Sequence, residues 1–138
     1  DYLQNLEDDK PSAVAGVSVG GDPIVAGVIT EAARQNWALD GLLVRKEPKA
    51  HGGSAGRAVD GFRGSADNKP KVWLVEDVIS TGKSAKVAAE HLRREDYDLI
   101  GILSIVDRES GGLSFLRQKL NCKVRALVKL SEILANDC

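Results

Sequence analysis

The chain contains no methionine at all. A reading frame as translated begins with one, so residues upstream of Asp1 are expected to be missing. Cysteine is nearly absent as well. Cys122 and Cys138 give neither a ligand spacing nor a disulfide framework, which makes a reduced, cytoplasmic setting the default. No apolar run approaches the length of a membrane span, and no signal peptide is visible. An excess of either charge is also lacking: a net charge of −1 implies neither a nucleic-acid nor a membrane surface. There is no internal repeat. What remains is one ordinary domain over residues 1–138, large enough to bury a core and too small for two.

What the chain does have is centred on Val72 to Ser84, V-W-L-V-E-D-V-I-S-T-G-K-S. Four apolar residues, Val72 to Val75, read as a buried strand. They run into two adjacent carboxylates, Glu76 and Asp77, and then into a Ser/Thr/Gly/Lys loop. A helical pattern follows over about Lys83 to Glu95, with Ala85, Ala88, Ala89 and Leu92 inward and Lys86, Glu90, Arg93 and Arg94 outward.

The flanking sequence repeats this alternation. Tyr2, Leu3 and Leu6 give a weak sign of a helix end. Ala13 to Val19 is small and apolar, as a strand buried on both faces would be. Gly20 and Gly21 break it, and Asp22-Pro23 predicts a helix start with Asp22 as N-cap and Pro23 at the first helical position. Val25, Val28, Ile29 and Ala32 then form the helical stripe. Further strands are expected at Asp40 to Lys46, Leu99 to Val106 and Val124 to Leu127. A short helix carrying Leu113, Leu116 and Leu120 follows Gly111-Gly112, and Leu130 to Leu134 makes a terminal turn. Residues 47–70 show no periodicity. They read as a long loop, which inside a compact domain is usually functional or disordered. Apolar strands alternating with helices predict an α/β fold, with a mostly parallel sheet of about five strands flanked by helices. Ligands bind such sheets at the carboxyl ends of the strands.

Four groups sit there. The loop Ser80 to Ser84 offers consecutive amides and hydroxyls at a helix N-terminus, a site suited to a phosphate monoester; a plain Gly/Ser turn is the alternative. Walker A is excluded, because that motif needs a glycine where Asp77 stands. Glu76 and Asp77 would repel a phosphate, so they suit ribose hydroxyls or a hydrated cation, or simply form a solvated strand end. The Gly20-Gly21-Asp22 turn is a second anion cradle or an ordinary cap, and no dinucleotide fingerprint is present. Arg45, Lys46, Lys49 and His51 lead into the long loop. Between Arg45 and Arg63 five Lys/Arg face two acids, and such a lid could stabilise a departing pyrophosphate or be only a solvated basic loop. Arg108, at another strand end, could take a carboxylate in bidentate fashion or serve in a surface ion pair.

Taken together, V-W-L-V-E-D-V-I-S-T-G-K-S resembles the phosphoribosyl-pyrophosphate (PRPP) signature of type I phosphoribosyltransferases. R-K-E-P-K-A-H-G-G resembles the flexible catalytic loop of the orotate phosphoribosyltransferase family, and V-D-R-E-S-G-G is similar to that family's orotate-contacting segment. The resemblance spans about Ala13 to Leu134. It implies a Rossmann-like type I phosphoribosyltransferase fold and a homodimer whose loop residues are shared across the interface. The implied reaction is transfer of phosphoribosyl from PRPP to orotate with Mg²⁺, giving orotidine 5′-monophosphate and pyrophosphate in UMP biosynthesis. By match, Glu76 and Asp77 hold the ribose hydroxyls, and Ser80, Thr81, Gly82, Lys83 and Ser84 bind the 5′-phosphate, with Val78 and Ile79 in the same PRPP-binding run. Gly20, Gly21 and Asp22 form the pyrophosphate loop. Arg45, Lys46, Lys49 and His51 act on the pyrophosphate, and Ser80 and Arg108 contact orotate. Lys49, His51 and Asp77 are the implied catalytic set. No protein side chain is implied as a direct Mg²⁺ ligand, since the metal is carried by PRPP. The family's N-terminal hood, a K-S-G-R-like segment with a nearby aromatic, has no match, in keeping with residues missing before Asp1. The alternatives are a phosphoribosyltransferase for another base and a non-catalytic PRPP-sensing regulator of the same fold.

Overall fold

The structure, a computed structural model, describes residues 10–53 and 55–135. The expected helix end at Tyr2 to Leu6, and Cys138, lie outside the described residues. The chain runs β1 (Ala13–Val17), α1 (Asp22–Arg34), β2 (Asp40–Val44), β3 (Val59–Asp60), β4 (Lys71–Ile79), α2 (Lys83–Arg94), β5 (Asp98–Asp107), α3 (Gly112–Leu120), β6 (Lys123–Lys129) and α4 (Leu130–Ala135). The six strands form one sheet in the order β3-β2-β1-β4-β5-β6. Every pairing is parallel except β2 with β3. The α/β expectation holds, with six strands rather than five. No helix among the described residues is long and apolar enough to cross a membrane.

Two packed layers explain why the strands carry unbroken apolar runs. On one face Ala13, Ala15, Leu42, Val72, Leu74 and Ile102 pack beneath α2 and α3 through Ala85, Ala88, Ala89, Leu92, Leu116 and Leu120. On the other face α1 lays Val25, with Ile24, Val28 and Ile29, over Val14 and Val75. A strand covered on both sides has no polar face to show. Alternating small and large side chains keep the layers close: at Gly101 of β5, a Cβ would lie 2.5–2.6 Å from three ring carbons of the buried Trp73.

Three local expectations need correction. The strand at Val72 does not end before the acids; β4 continues through Glu76, Asp77 and Val78 to Ile79, because β5 goes on pairing with it as far as Ile79 opposite Asp107. Asp22 is not the N-cap. Gly21 takes that position, Asp22 and Pro23 are the first two helical residues, and the Asp22 carboxylate instead accepts a hydrogen bond from Ser18 Oγ at 2.8 Å. Residues 47–70 are not structureless either. The chain leaves β2, turns near Gly52, and returns as β3 antiparallel to β2. Arg45 N–H donates to Ala58 O and Lys49 N–H to Arg57 O, each at 2.8 Å, so a hairpin stands on the edge of the sheet.

Because the Trp73 ring occupies the space a side chain at 101 would need, Gly101→Ala overpacks the core. It is expected to cost about 1–3 kcal/mol, seen as a lower urea midpoint with an unchanged m-value. A wild-type midpoint would show that the ring can move aside without cost.

Candidate active site

Sheet topology decides where the polar groups meet. From β1 the chain crosses by α1 to β2 on one side, and from β4 it crosses by α2 to β5 on the other. β1 and β4 are therefore the pair at which the strand order reverses. The N-termini of α1 and α2 open outward from their carboxyl ends, on opposite faces of the sheet, and such switch points leave a crevice.

β4 outlasts β1 along this edge. Their register ends at Gly16 opposite Val75, and the turn at residues 18–21 takes up the space beside Glu76 and Asp77. The approach is close: a Cβ on Gly20 would lie 2.7 Å from Asp77 Oδ2, so a side chain there would make the exposed carboxylate shift. The turn itself is closed by Gly21 N–H to Val17 O at 2.8 Å. Thus the first glycine turn and the acid pair, more than fifty residues apart in sequence, are in contact.

The two acids differ in environment. Asp77 is exposed, and its Oδ1 accepts the Val78 amide at 2.7 Å. Glu76 is only 7% exposed. Burial pushes its carboxyl up to about 7, the charge of Asp77 adds to the rise, and the Lys46 ammonium opposes it. Lys46 is thus near enough for its charge to act on Glu76. Its backbone carbonyl is held from behind by Nε2 of the buried His91 on α2, at 3.3 Å.

Beyond Ile79 the chain makes the loop at residues 80–82 and enters α2. Gly82, at φ +80°, is the N-cap, a left-handed conformation that favours glycine. A Cβ there would also lie 2.9 Å from Leu116 Cγ. No side chain caps α2 and its first turn holds no acid, so the leading amides stay open to an external acceptor. Glu76 and residues 78–85 line a half-open hollow of about 130 Å³ at this point. Arg108, just past β5, is tied to the same edge by its amide, which donates to Ile79 O at 2.9 Å. Its side chain is exposed and free of ion pairs among the described residues.

The other loop cations lie elsewhere. Arg45 and Lys49 both bind Asp60 on β3, and His51 is exposed at the hairpin tip. The structure thus gathers Gly20, Gly21, Asp22, Lys46, Glu76 to Ser84 and Arg108 along one edge, and keeps Arg45, Lys49 and His51 on the hairpin. Sequence reasoning missed His91 and Asp60. Asp60 left one trace, as one of only two acids in a strongly basic stretch. Among the described residues no group of three or more His, Cys, Asp or Glu is arranged to hold a metal.

The raised Glu76 carboxyl has a measurable consequence. Between its ordinary 4.5 and about 7 the folded chain binds more protons than the unfolded one. Its stability therefore falls as pH rises through that window. Glu76→Gln is expected to unfold later than wild type at about pH 8, by up to about 3 kcal/mol, with the gap closing as the pH is lowered to 4.5. Denaturant midpoints across pH test this, and a gap independent of pH would contradict it.

No family model matches the chain. Relatives do. It is 38% identical over 125 residues to the orotate phosphoribosyltransferase of Synechocystis sp., covering 91% of this chain and 61% of that protein. It is 33% identical over 129 residues to the orotate phosphoribosyltransferase of Aquifex aeolicus, covering 94% and 67%. A phosphoribosyltransferase structure from Corynebacterium diphtheriae superposes with a TM-score of 0.75 at 27% identity, over 91% of this chain and 68% of that one. The chain spans about six-tenths to two-thirds of the length of the two sequence relatives. A mostly parallel sheet with its polar edge at the β1/β4 switch, together with this degree of identity, means that the chain has the type I phosphoribosyltransferase fold and belongs to the orotate phosphoribosyltransferase family.

Proposed function

We propose that the chain carries the PRPP and orotate sites of an orotate phosphoribosyltransferase. In the proposed reaction the N1–C1′ bond of orotidine 5′-monophosphate forms as the C1′–O bond to pyrophosphate breaks, and the N1 proton of orotate is released to solvent or to the departing pyrophosphate. The departing electron pair leaves with pyrophosphate while C1′ gains oxocarbenium character. The observation that carries this reading is the contact of Gly20 with Asp77. It brings the first glycine turn to Asp77, and the loop at residues 80–82 follows at the end of the same strand, an order that supports reading them as pyrophosphate, ribose and 5′-phosphate subsites.

In this reading residues 80–84 take the 5′-phosphate through amides and hydroxyls, with Val78 and Ile79 as the strand end beneath them. Asp77 accepts from ribose hydroxyls. Glu76, titrating near 7, is able to donate to or accept from a hydroxyl, which suits a diol better than a phosphate. Gly20, Gly21 and Asp22 flank the pyrophosphate at the start of α1, and Lys46 reaches the same region. Lys49, His51 and Arg45 act on the leaving group from the loop over residues 47–70. Arg108 and Ser80 hold the orotate carboxylate and ring. Mg²⁺ would enter as part of the substrate, where it would supply neutralisation of the charge on the pyrophosphate. A homodimer sharing the hairpin residues, in the cytoplasm, completes the proposal.

The work assigned to the protein is positioning and charge stabilisation. Loss of orotate absorbance with PRPP and Mg²⁺ tests the reaction. Turnover with another base and none with orotate would move the chain to a different substrate, and PRPP binding without any turnover would favour the sensing role. Lys49→Ala is expected to lower kcat by about 100-fold with little change in PRPP affinity; an unchanged kcat removes the hairpin from the mechanism. Asp77→Asn is expected to weaken PRPP binding about tenfold, measured by calorimetry. An unaltered Kd would sink the ribose assignment.

A further inference from the structure

The two loop cations Arg45 and Lys49 converge on a single carboxylate. Arg45 Nε and Nη2 both lie 2.8 Å from Asp60 Oδ2, and Lys49 Nζ lies 2.8 Å from Asp60 Oδ1. The two cations take different oxygens of one group, so their mutual repulsion is offset and their separation is fixed. The Lys49 hydrogen bond, aided by Arg45 and opposed by partial burial, holds the Asp60 carboxyl below the usual carboxylate range. Lys46, between them in sequence, is not part of this pairing, and its charge acts on Glu76.

Asp60 is itself held from below. It follows Ala58 and Val59, whose amides donate to Glu95 Oε1 at the C-terminal end of α2, at 2.6 and 3.3 Å. Arg57 Nε donates to the other oxygen of Glu95 at 2.9 Å. Lys49 is fixed at its backbone also, donating to Arg57 O and accepting from Gly56 N–H, each at 2.8 Å. Helix, return strand, carboxylate and cations therefore form one connected support from α2 to the hairpin.

We propose that Asp60 is a positioning residue. It holds Arg45 and Lys49 as a preformed pair on the hairpin, so that these rotamer-rich side chains do not have to be ordered when the polyanionic pyrophosphate group arrives. This rests on the reading of the hairpin as the leaving-group loop. The group is 30% exposed at Asp60 and 31–47% at its partners, so the support is weakened by salt.

The test compares wild type, Asp60→Asn and Asp60→Glu. Thermal melting first establishes that each folds. Hydrogen exchange at the Lys49 and Gly56 amides then reads the hairpin without reference to activity. Asp60→Asn is expected to speed exchange there about tenfold, Asp60→Glu to restore part of the protection, and about 1 M salt to move wild type toward the Asn variant. With PRPP and orotate, Asp60→Asn is expected to lower kcat about tenfold while KM for PRPP changes less than about twofold, again with partial recovery by Glu. Unchanged exchange in a folded Asp60→Asn overturns the proposal, as does faster exchange with unchanged kcat in an active enzyme. If wild type itself does not turn over, the activity reading fails, and the exchange rates alone decide whether Asp60 holds the cations.

Discussion

The candidate site depends on one close approach, that of the Gly20 backbone to the Asp77 carboxylate. It exists because β1 stops at Val17 while its neighbour β4 continues to Ile79, so the turn after β1 folds down beside the exposed end of β4. A Cβ at position 20 would lie 2.7 Å from Asp77 Oδ2, so the carboxylate would have to move to admit a side chain. Helix α1 then begins on one face of the sheet and α2 on the other. The start of α1, which carries Asp22 in its first turn, and the start of α2, which carries no acid there, flank two carboxylates, an arrangement that neither element could produce alone.

Electrostatics sharpen this geometry. The acids are neighbours on a strand, and strand alternation sends them to opposite sides: Glu76 inward, Asp77 outward. Burial and the nearby charge of Asp77 raise the Glu76 carboxyl to about 7, with Lys46 as counterweight. An acid pair of this kind holds less negative charge at neutral pH than two free carboxylates would. It sits beside the hollow of about 130 Å³ that Glu76 and residues 78–85 line. Lys46 in turn is held at its carbonyl by His91, so the root of the hairpin is anchored to α2 twice, through His91 and through Glu95.

Much of this was legible in the sequence because it rests on local pattern. The inward stripe of α2 follows from Ala85, Ala88, Ala89 and Leu92, and all four are buried. A glycine before the helical pattern places the loop at residues 80–82 at a helix N-terminus, and Gly82 is the N-cap of α2 at φ +80°. What was not legible depends on partners distant in sequence. An acidic pair after an apolar run reads as the end of a strand, yet β5 supplies pairing that carries β4 on to Ile79. Two residues of strand in a glycine-rich stretch carry no periodicity, and β3 forms because Glu95, 36 and 37 residues away, binds its approach. Asp22-Pro23 has the composition of a cap, but Gly21 is the one that fits against Gly16 and Val17, and Ser18 takes the aspartate. Asp60 looked like a minor exception in a basic loop until the fold brought Arg45 and Lys49 to it.

The central claim is that one ligand spans the edge from the turn at residue 20 to the start of α2. Amide chemical-shift mapping with Mg-PRPP measures this directly. Saturable shifts are expected at Gly20 and Gly21, at Glu76 to Val78, and at Thr81 to Ser84, all following one binding curve. Shifts confined to one of these segments, separate affinities for them, or no saturable response at all would contradict it.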